Sequence, residues 1–312
     1  MRILVTGGAG YIGSVLIGKL LKEGYEVVCV DNLRYSKTSL LGYISNERFK
    51  FVYGDARDKE LMKKLSKNVD FIIPLAAVVG APASAKNPFL TKSLNYDAIK
   101  MLVEICPKDV GIIYPNTNSG YGRCPAGTFC TEESPLNPLS LYAKTKVEAE
   151  KVVMDRGNTV SLRLATVFGV SPRMRLDLLV NNFVYRAMKD KVLVIFEPHF
   201  RRNYIHVEDV ADTFIFVIKN FDRMKDNVFN VGLNTANLTK LELAHKIKEQ
   251  IPELVILVSD YAHDPDKRDY YISTKKLESF GWKAKKSLEE GIKELIKAYP
   301  MFEASEPFVN NI

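Results

Sequence analysis

Arg2-Ile-Leu-Val-Thr6, Gly7-Gly-Ala-Gly10-Tyr-Ile-Gly13 and Glu26-Val-Val-Cys-Val30-Asp31 decide the fold of this chain. The first run is a short apolar strand. The glycine run permits a tight turn, and Ser14 to Lys22 then places Val15, Leu16, Ile17, Leu20 and Leu21 as the apolar residues of a helix. The third run is a second strand ending in an acid. Strand, glycine turn, helix, strand, acid is the order of a dinucleotide-binding βαβ unit. Its glycines let the backbone approach a pyrophosphate, and the helix N-terminus offers amide donors and the positive end of a dipole. Asp31 stands eighteen residues beyond Gly13, near where a carboxylate would hold the adenosine ribose 2′-hydroxyl and repel a 2′-phosphate. The reading is therefore NAD rather than NADP, with Arg34 close enough to temper the exclusion.

Alternation continues outward from this unit. Phe49–Tyr53, Val69–Pro74, Gly111–Tyr114 and Val160–Leu164 read as strands, and Lys59–Ser66, a segment within Pro88–Cys106, and Ser140–Arg156 as helices. This predicts an α/β fold, a doubly wound and mainly parallel sheet of the Rossmann kind with both faces covered. Residues 116–138 are rich in Gly, Pro, Asn, Ser and Thr and read as a loop. After Gly169 the pattern becomes irregular, with helices expected over Arg175–Lys189, Val207–Asn220, Lys240–Gln250 and Leu288–Tyr299. Residues 1–169 and 206–232 are assigned to the NAD-binding domain. Residues 170–205 and 233–312 are assigned to a smaller C-terminal substrate-binding lobe, with a loosely held tail after Met301.

Composition narrows the function classes. The 312 residues are 46% hydrophobic and 26% charged, enough for a large core. No run approaches the ~18 apolar residues of a membrane span, and the N-terminus, already a strand, lacks the layout of a signal peptide. The formal net charge of +7 comes from scattered lysines without a basic stripe and interleaved aromatics, so nucleic-acid binding is not expected. Cys29, Cys106, Cys124 and Cys130 show neither CxxC nor zinc spacing, which predicts no metal site and a reduced, cytoplasmic protein.

The run Leu141-Tyr142-Ala-Lys-Thr-Lys146 supplies chemistry. On a helix, positions i and i+4 share a face, so a phenol stands beside an ammonium. A free tyrosine titrates near ~10, and a nearby cation favours its phenolate. Such a tyrosine could take a proton from an alcohol whose carbon gives hydride to NAD.

With these motifs the chain resembles the extended short-chain dehydrogenases/reductases of the NAD-dependent epimerase/dehydratase family. The resemblance runs over nearly the whole length. It is carried by Gly7–Gly13, Asp31-Asn-Leu33, Gly54-Asp55, Leu75-Ala-Ala77, Tyr121-Gly122, Tyr142-Ala-Lys-Thr-Lys146 and Arg202-Asn-Tyr-Ile-His-Val207. It implies a catalytic trio: Thr117 to hydrogen-bond the reacting sugar oxygen, Tyr142 as acid/base, and Lys146 to bind the nicotinamide ribose and lower the tyrosine pKa. It also implies cofactor contacts from Gly7, Gly10, Tyr11, Ile12, Gly13, Asp31, Asn32, Asp55, Ala56, Leu75, Ala76, Ala77, Tyr142 and Lys146. Substrate contacts are expected from Asn118, Ser119, Arg175, Asn181, Arg202 and Arg268, with Arg173 and Arg201 as further phosphate candidates. The implied partner is a nucleoside-diphosphate sugar of the kind used in polysaccharide biosynthesis, and the implied assembly is a homodimer through a four-helix bundle that includes the Tyr142 helix.

Three positions depart from the family pattern: Pro115-Asn116 replaces a serine pair, Pro74 a common histidine, and Thr166-Val-Phe-Gly169 an Asn-Val-Tyr-Gly run. Dehydratases of the family carry an Asp-Glu pair after the catalytic threonine. Here Asn118 and Ser119 offer no acid or base near neutral pH, leaving oxidation at sugar C4. A narrower resemblance, to bacterial GDP-D-glycero-α-D-manno-heptose 4-dehydrogenases, lies in Asn116–Gly122, Ser171–Asp177, His199–Asn203 and Asp264–Tyr270. It favours a GDP-sugar, with a UDP-sugar possible and a UDP/GDP-hexose 4-epimerase as the alternative. A non-catalytic NAD-binding regulator is the alternative of another class, and the intact trio argues against it. His206 reads as a structural histidine, Glu132 and Glu133 as solvated, and Trp282 as packing.

Overall fold

The structure, a computed structural model, describes residues 1–125, 127–261 and 268–303. The expected loose tail beyond residue 303, and residues 264–267 of the Asp264–Tyr270 run, lie outside the described residues. In chain order the strands are β1 (Arg2–Thr6), β2 (Glu26–Asp31), β3 (Phe49–Tyr53), β4 (Phe71–Pro74), β5 (Gly111–Thr117), β6 (Phe129–Cys130) and β7 (Thr159–Leu164). They continue as β8 (Thr166–Phe168), β9 (Val192–Ile195), β10 (Arg201–His206), β11 (Asn227–Val231), β12 (Asn237–Thr239), β13 (Val255–Val258) and β14 (Tyr271–Ile272).

Seven of them form one sheet in the order β11-β7-β5-β4-β1-β2-β3, parallel throughout. Because successive side chains on a strand face opposite sides, β1 feeds two cores. Ile3 and Val5 pack with Leu16, Ile17 and Leu20 of the Tyr11–Lys22 helix and with Val210 and Phe214 of the Val207–Lys219 helix. Leu4 faces the other way, with Ile99 and Leu102 of the Ala98–Ile105 helix and Val153 of the Leu141–Arg156 helix. Each such side chain fully removed from water contributes about 1.5–3 kcal/mol before the entropy of ordering is charged against it.

The strand order reverses between β1 and β4, and the crevice outside the carboxyl ends at such a point is where doubly wound sheets bind ligands. A smaller β12-β10-β8 sheet and the β13–β9 and β14–β6 pairs lie beyond it. Among the described residues no helix is long and apolar enough to cross a membrane.

Several boundaries differ from the sequence reading. Strand β5 continues past Tyr114 to Thr117, because Pro115, Asn116 and Thr117 stay in register with Leu162, Arg163 and Leu164 of β7. The helix expected from Arg175 begins at Leu179. Before it, Arg175 pairs with Asp177, while Asn181 and Asn182 donate back to the carbonyls of Arg175 and Leu176, holding an irregular turn.

The cysteines also differ: Cys124 and Cys130 form a disulfide, whereas Cys29 and Cys106 are free and buried. Both bonded residues are held along the same segment. Cys124 N donates to Asp269 O, and β6 pairs with β14, so the ends of the intervening loop are drawn together.

Candidate active site

A cavity of about 470 Å³ opens at the crevice between β1 and β4. Its floor at one end is the glycine turn. Gly7 has φ +70°, and a Cβ there would lie 2.6 Å from Ala76 N; at Gly13 a Cβ would lie 2.6 Å from Gly7 O. Only glycine lets these three segments meet. The Tyr11–Lys22 helix starts at Gly10 with no side-chain cap on its first turn, so the amide end of the dipole is left for a ligand.

Asp31, at the end of β2, accepts from Ala9 N (2.9 Å) and Leu33 N (2.8 Å). Burial raises its pKa against these two donors. Asp55 receives Arg57 at 2.7 Å and Asn32 at 3.4 Å, and the Arg57 hydrogen bonds take its pKa down to about 2. A bare backbone cradle at one end and an oriented carboxylate at the tip of the next strand fit a dinucleotide's pyrophosphate and ribose.

The far wall is built by β5 and the Leu141–Arg156 helix. Ser140 caps that helix, accepting from Ala143 N. Thr117 Oγ1 lies 2.9 Å from Ser119 Oγ, and both Thr117 and Tyr142 line the cavity. Arg268 donates to Ser119 Oγ. Burial raises the Tyr142 pKa, while the Thr117 hydroxyl and the charges of Arg268 and Arg175 oppose the rise. Lys146, one helical turn beyond Tyr142, faces β5. Its ammonium sits over the Tyr114 ring, 4.1 Å from the centroid. Burial lowers its pKa to about 7, against the attraction of Glu150.

The cavity lining contains Gly7, Gly10, Tyr11, Ile12, Gly13, Asp31, Asn32, Asp55, Ala56, Leu75, Ala76, Ala77, Thr117, Ser119, Tyr142, Lys146, Arg175, Arg202 and Arg268. Arg173 joins them, whereas Arg201 is paired with Asp269 at 2.7 Å away from the lining.

Two expected substrate residues are not brought to the cavity. Asn118 is fully buried beneath it. With its oxygen accepting from Ala165 N, its nitrogen donates to Asn230 Oδ1 and Arg163 O. Asn181 is also turned inward. Its oxygen accepts from Gly169 N, and its nitrogen donates to Tyr11 Oη and Arg175 O. Asn182, one residue on, lines the cavity instead.

Glu132 is half-buried rather than solvated, accepting from Asn230 N at 2.7 Å. His206 caps the Val207–Lys219 helix through Nδ1, and its Nε2 is at ion-pair distance, 3.0 Å, from Glu294 without hydrogen-bond alignment. Trp282 is buried in the core.

The sequence reading missed Asn116 and Glu150. Asn116 lines the cavity, and its Nδ2 donates to Glu150 at 2.6 Å. The available signal for Glu150 was its place two helical turns beyond Tyr142, on the same face as Lys146.

A sequence model described as the NAD dependent epimerase/dehydratase family matches residues 3–232. The low-salt glycan biosynthesis protein Agl12 of Haloferax volcanii is 31% identical, over 96% of this chain and 98% of its own. UDP-glucuronic acid decarboxylase 1 of Arabidopsis thaliana is 32% identical, over 96% of this chain and 70% of its own. Among solved structures, the UDP-glucose 4-epimerase of Thermus thermophilus in complex with NAD superposes with a TM-score of 0.83 at 27% identity, over 96% of this chain and 99% of that one.

Proposed function

Since the chain belongs to the NAD-dependent epimerase/dehydratase family, we propose that it oxidises C4 of a nucleoside-diphosphate sugar. Its cofactor is NAD, and its chemistry is that of nucleotide sugars. The observation that carries the C4 reading is the meeting of Thr117, Tyr142 and Lys146 on the cavity wall opposite the glycine turn. Bound NAD supplies the hydride acceptor and a positively charged ring. Tyr142 takes the proton of the sugar hydroxyl, and Thr117, which lines the cavity beside it, holds that oxygen in line. Arg268 and Arg175 favour the phenolate as it forms, since opposite charge stabilises the ionised state. Arg175, Arg202 and Arg268, whose forks match phosphate oxygens, are assigned to the diphosphate.

Dehydration is disfavoured because Asn118 is turned into the core and Ser119 is the side chain at the cavity. Within C4 oxidation, the runs Asn116–Gly122, Ser171–Asp177 and His199–Asn203 favour a GDP-heptose 4-dehydrogenase-like reaction. The similarity to UDP-glucose 4-epimerases favours the second reading, a hexose 4-epimerase that returns the hydride. Residues 1–169 and 206–232 are proposed to hold the cofactor, residues 170–205 and 233–312 the sugar nucleotide, and two copies are proposed to associate through the Leu141–Arg156 helix.

Incubation of the purified protein with NAD and a panel of GDP- and UDP-sugars tests the reading. NADH absorbance with a 4-keto product supports the dehydrogenase. A C4 epimer without net NADH supports the epimerase. Bound NAD with no conversion of any sugar overturns both in favour of an NAD-binding regulator.

A further inference from the structure

We infer that Glu150 is a positioning residue for the C4 oxidation proposed above, on which reading it rests: one buried carboxylate fixes Asn116, and with it the Thr117 end of β5, against the helix carrying Tyr142 and Lys146. Glu150 is 4% exposed. Its Oε2 accepts from Asn116 Nδ2 and Ser161 Oγ, each at 2.6 Å, and its Oε1 accepts from Arg163 at 2.7 Å. Three strand positions on β5 and β7 are thus tied to one point on the helix.

The direction of the Asn116 amide follows from chemistry. An ionised carboxylate only accepts, so the amide nitrogen must face Glu150 and the oxygen must face away. That oxygen, Oδ1, is buried with no hydrogen-bond partner, on a residue that lines the cavity. An unpaired buried carbonyl is costly.

Glu150 also acts on Lys146, one helical turn away. Tyr142 precedes Lys146 on the helix, Tyr114 faces it from β5, and Arg163 of β7 pairs with Glu150. Asn95, on the segment packed across the helix, meets Thr145 and carries no charge. The Glu150 carboxylate opposes the burial that lowers the Lys146 pKa.

A purely architectural ion pair with Arg163 is the competing explanation. Buried pairs give little net stability, but removing one partner leaves a costly orphan. The test therefore compares Glu150→Gln with the double variant Glu150→Gln/Arg163→Gln, which leaves no orphaned guanidinium.

In the Glu150→Gln protein we expect kcat to fall ~10–100-fold with KM within about threefold, the scale of a misplaced catalytic group. The alkaline limb of kcat should move to lower pH by about one unit. NMR of ¹³C-lysine-labelled protein without cofactor should show the Lys146 midpoint moving the same way. The double variant should regain the thermal midpoint without regaining kcat.

Recovery of both stability and kcat in the double variant overturns the inference, as does an unmoved Lys146 midpoint. If Glu150→Gln does not fold, the double variant decides alone. If wild type moves no hydride from any sugar, the functional reading fails, and the Lys146 titration still tests the hold of Glu150.

Discussion

Replacing Lys146 with methionine should make the protein more stable while removing its activity, and by an amount that depends on pH. Burial takes the Lys146 pKa from 10.5 to about 7. At ~1.4 kcal/mol for each pH unit between those values, keeping the ammonium charged inside the folded chain costs about 5 kcal/mol. Its seat over the Tyr114 ring is lost with the charge, so a gain of a few kcal/mol is expected for the variant at acid pH. The sign with pH follows from proton counting. Below the folded value both folded and unfolded chains hold the proton, and the full cost is present. Between the folded value and 10.5 the unfolded chain binds more protons, so wild-type stability rises with pH and the cost fades. Urea unfolding without NAD at about pH 6 and about pH 9 reads this directly, with the advantage of the variant shrinking by ~2–3 kcal/mol across the interval. Glu150 is not orphaned by the change, because Arg163, Asn116 and Ser161 still satisfy it. An advantage equal at both pH values would refute the claim that the burial of this ammonium is what is being relieved.

Three other outcomes follow from the site and its surroundings. Tyr142→Phe should lower kcat by at least ~10²–10⁴-fold, the range of general acid–base catalysis, while NAD affinity measured by calorimetry stays near wild type; wild-type turnover would remove Tyr142 from the acid/base role. Asp31→Ala should cut the preference for NAD over NADP ~10-fold or more and, by losing the acceptor for Ala9 N and Leu33 N, lower stability by about 1–3 kcal/mol; an unchanged ratio of the two cofactors' kcat/KM would count against its ribose role. Thiol titration in denaturant should find two reactive cysteines before reduction and four after, since Cys124 and Cys130 are bonded and Cys29 and Cys106 are free; four before reduction would contradict the pairing.

The sheet was legible because its strands are buried on both faces and announce themselves as apolar runs between helices of clear period. The glycine turn was legible for a stricter reason: Gly7 and Gly13 stand where a Cβ would strike backbone, so the composition of the turn is its geometry. Legibility failed where polar residues form regular structure. Pro115-Asn116-Thr117 has the composition of a loop, yet it is strand, because β7 supplies the partner that propensity could not foresee. The same limit applied to Arg175–Leu178, where side-chain hydrogen bonds from Asn181 and Asn182 outcompete the helix that the pattern suggested.

Asn118, Asn181 and Glu150 make one further point about reading an active site from its motif. Asn118 and Asn181 stand where the family resemblance points to ligand contacts, and Glu150 follows the Tyr142–Lys146 motif by one helical turn. In this protein they face inward, and each has its hydrogen-bonding groups engaged by the chain itself. Their chemistry is spent on holding other residues. Asn118 braces the turn after Thr117, Asn181 joins Tyr11 to Gly169, and Glu150 ties β5 and β7 to the catalytic helix. Transition-state stabilisation depends on groups being fixed before the substrate arrives. A segment as polar as Asn116–Gly122, the end of β5 and the turn after it, is held rigid when the groups beneath it take up its donors and acceptors. The Glu150–Arg163–Tyr121–Asn230 network does so, leaving Thr117, Ser119 and Asn116 as the groups of that segment placed at the cavity.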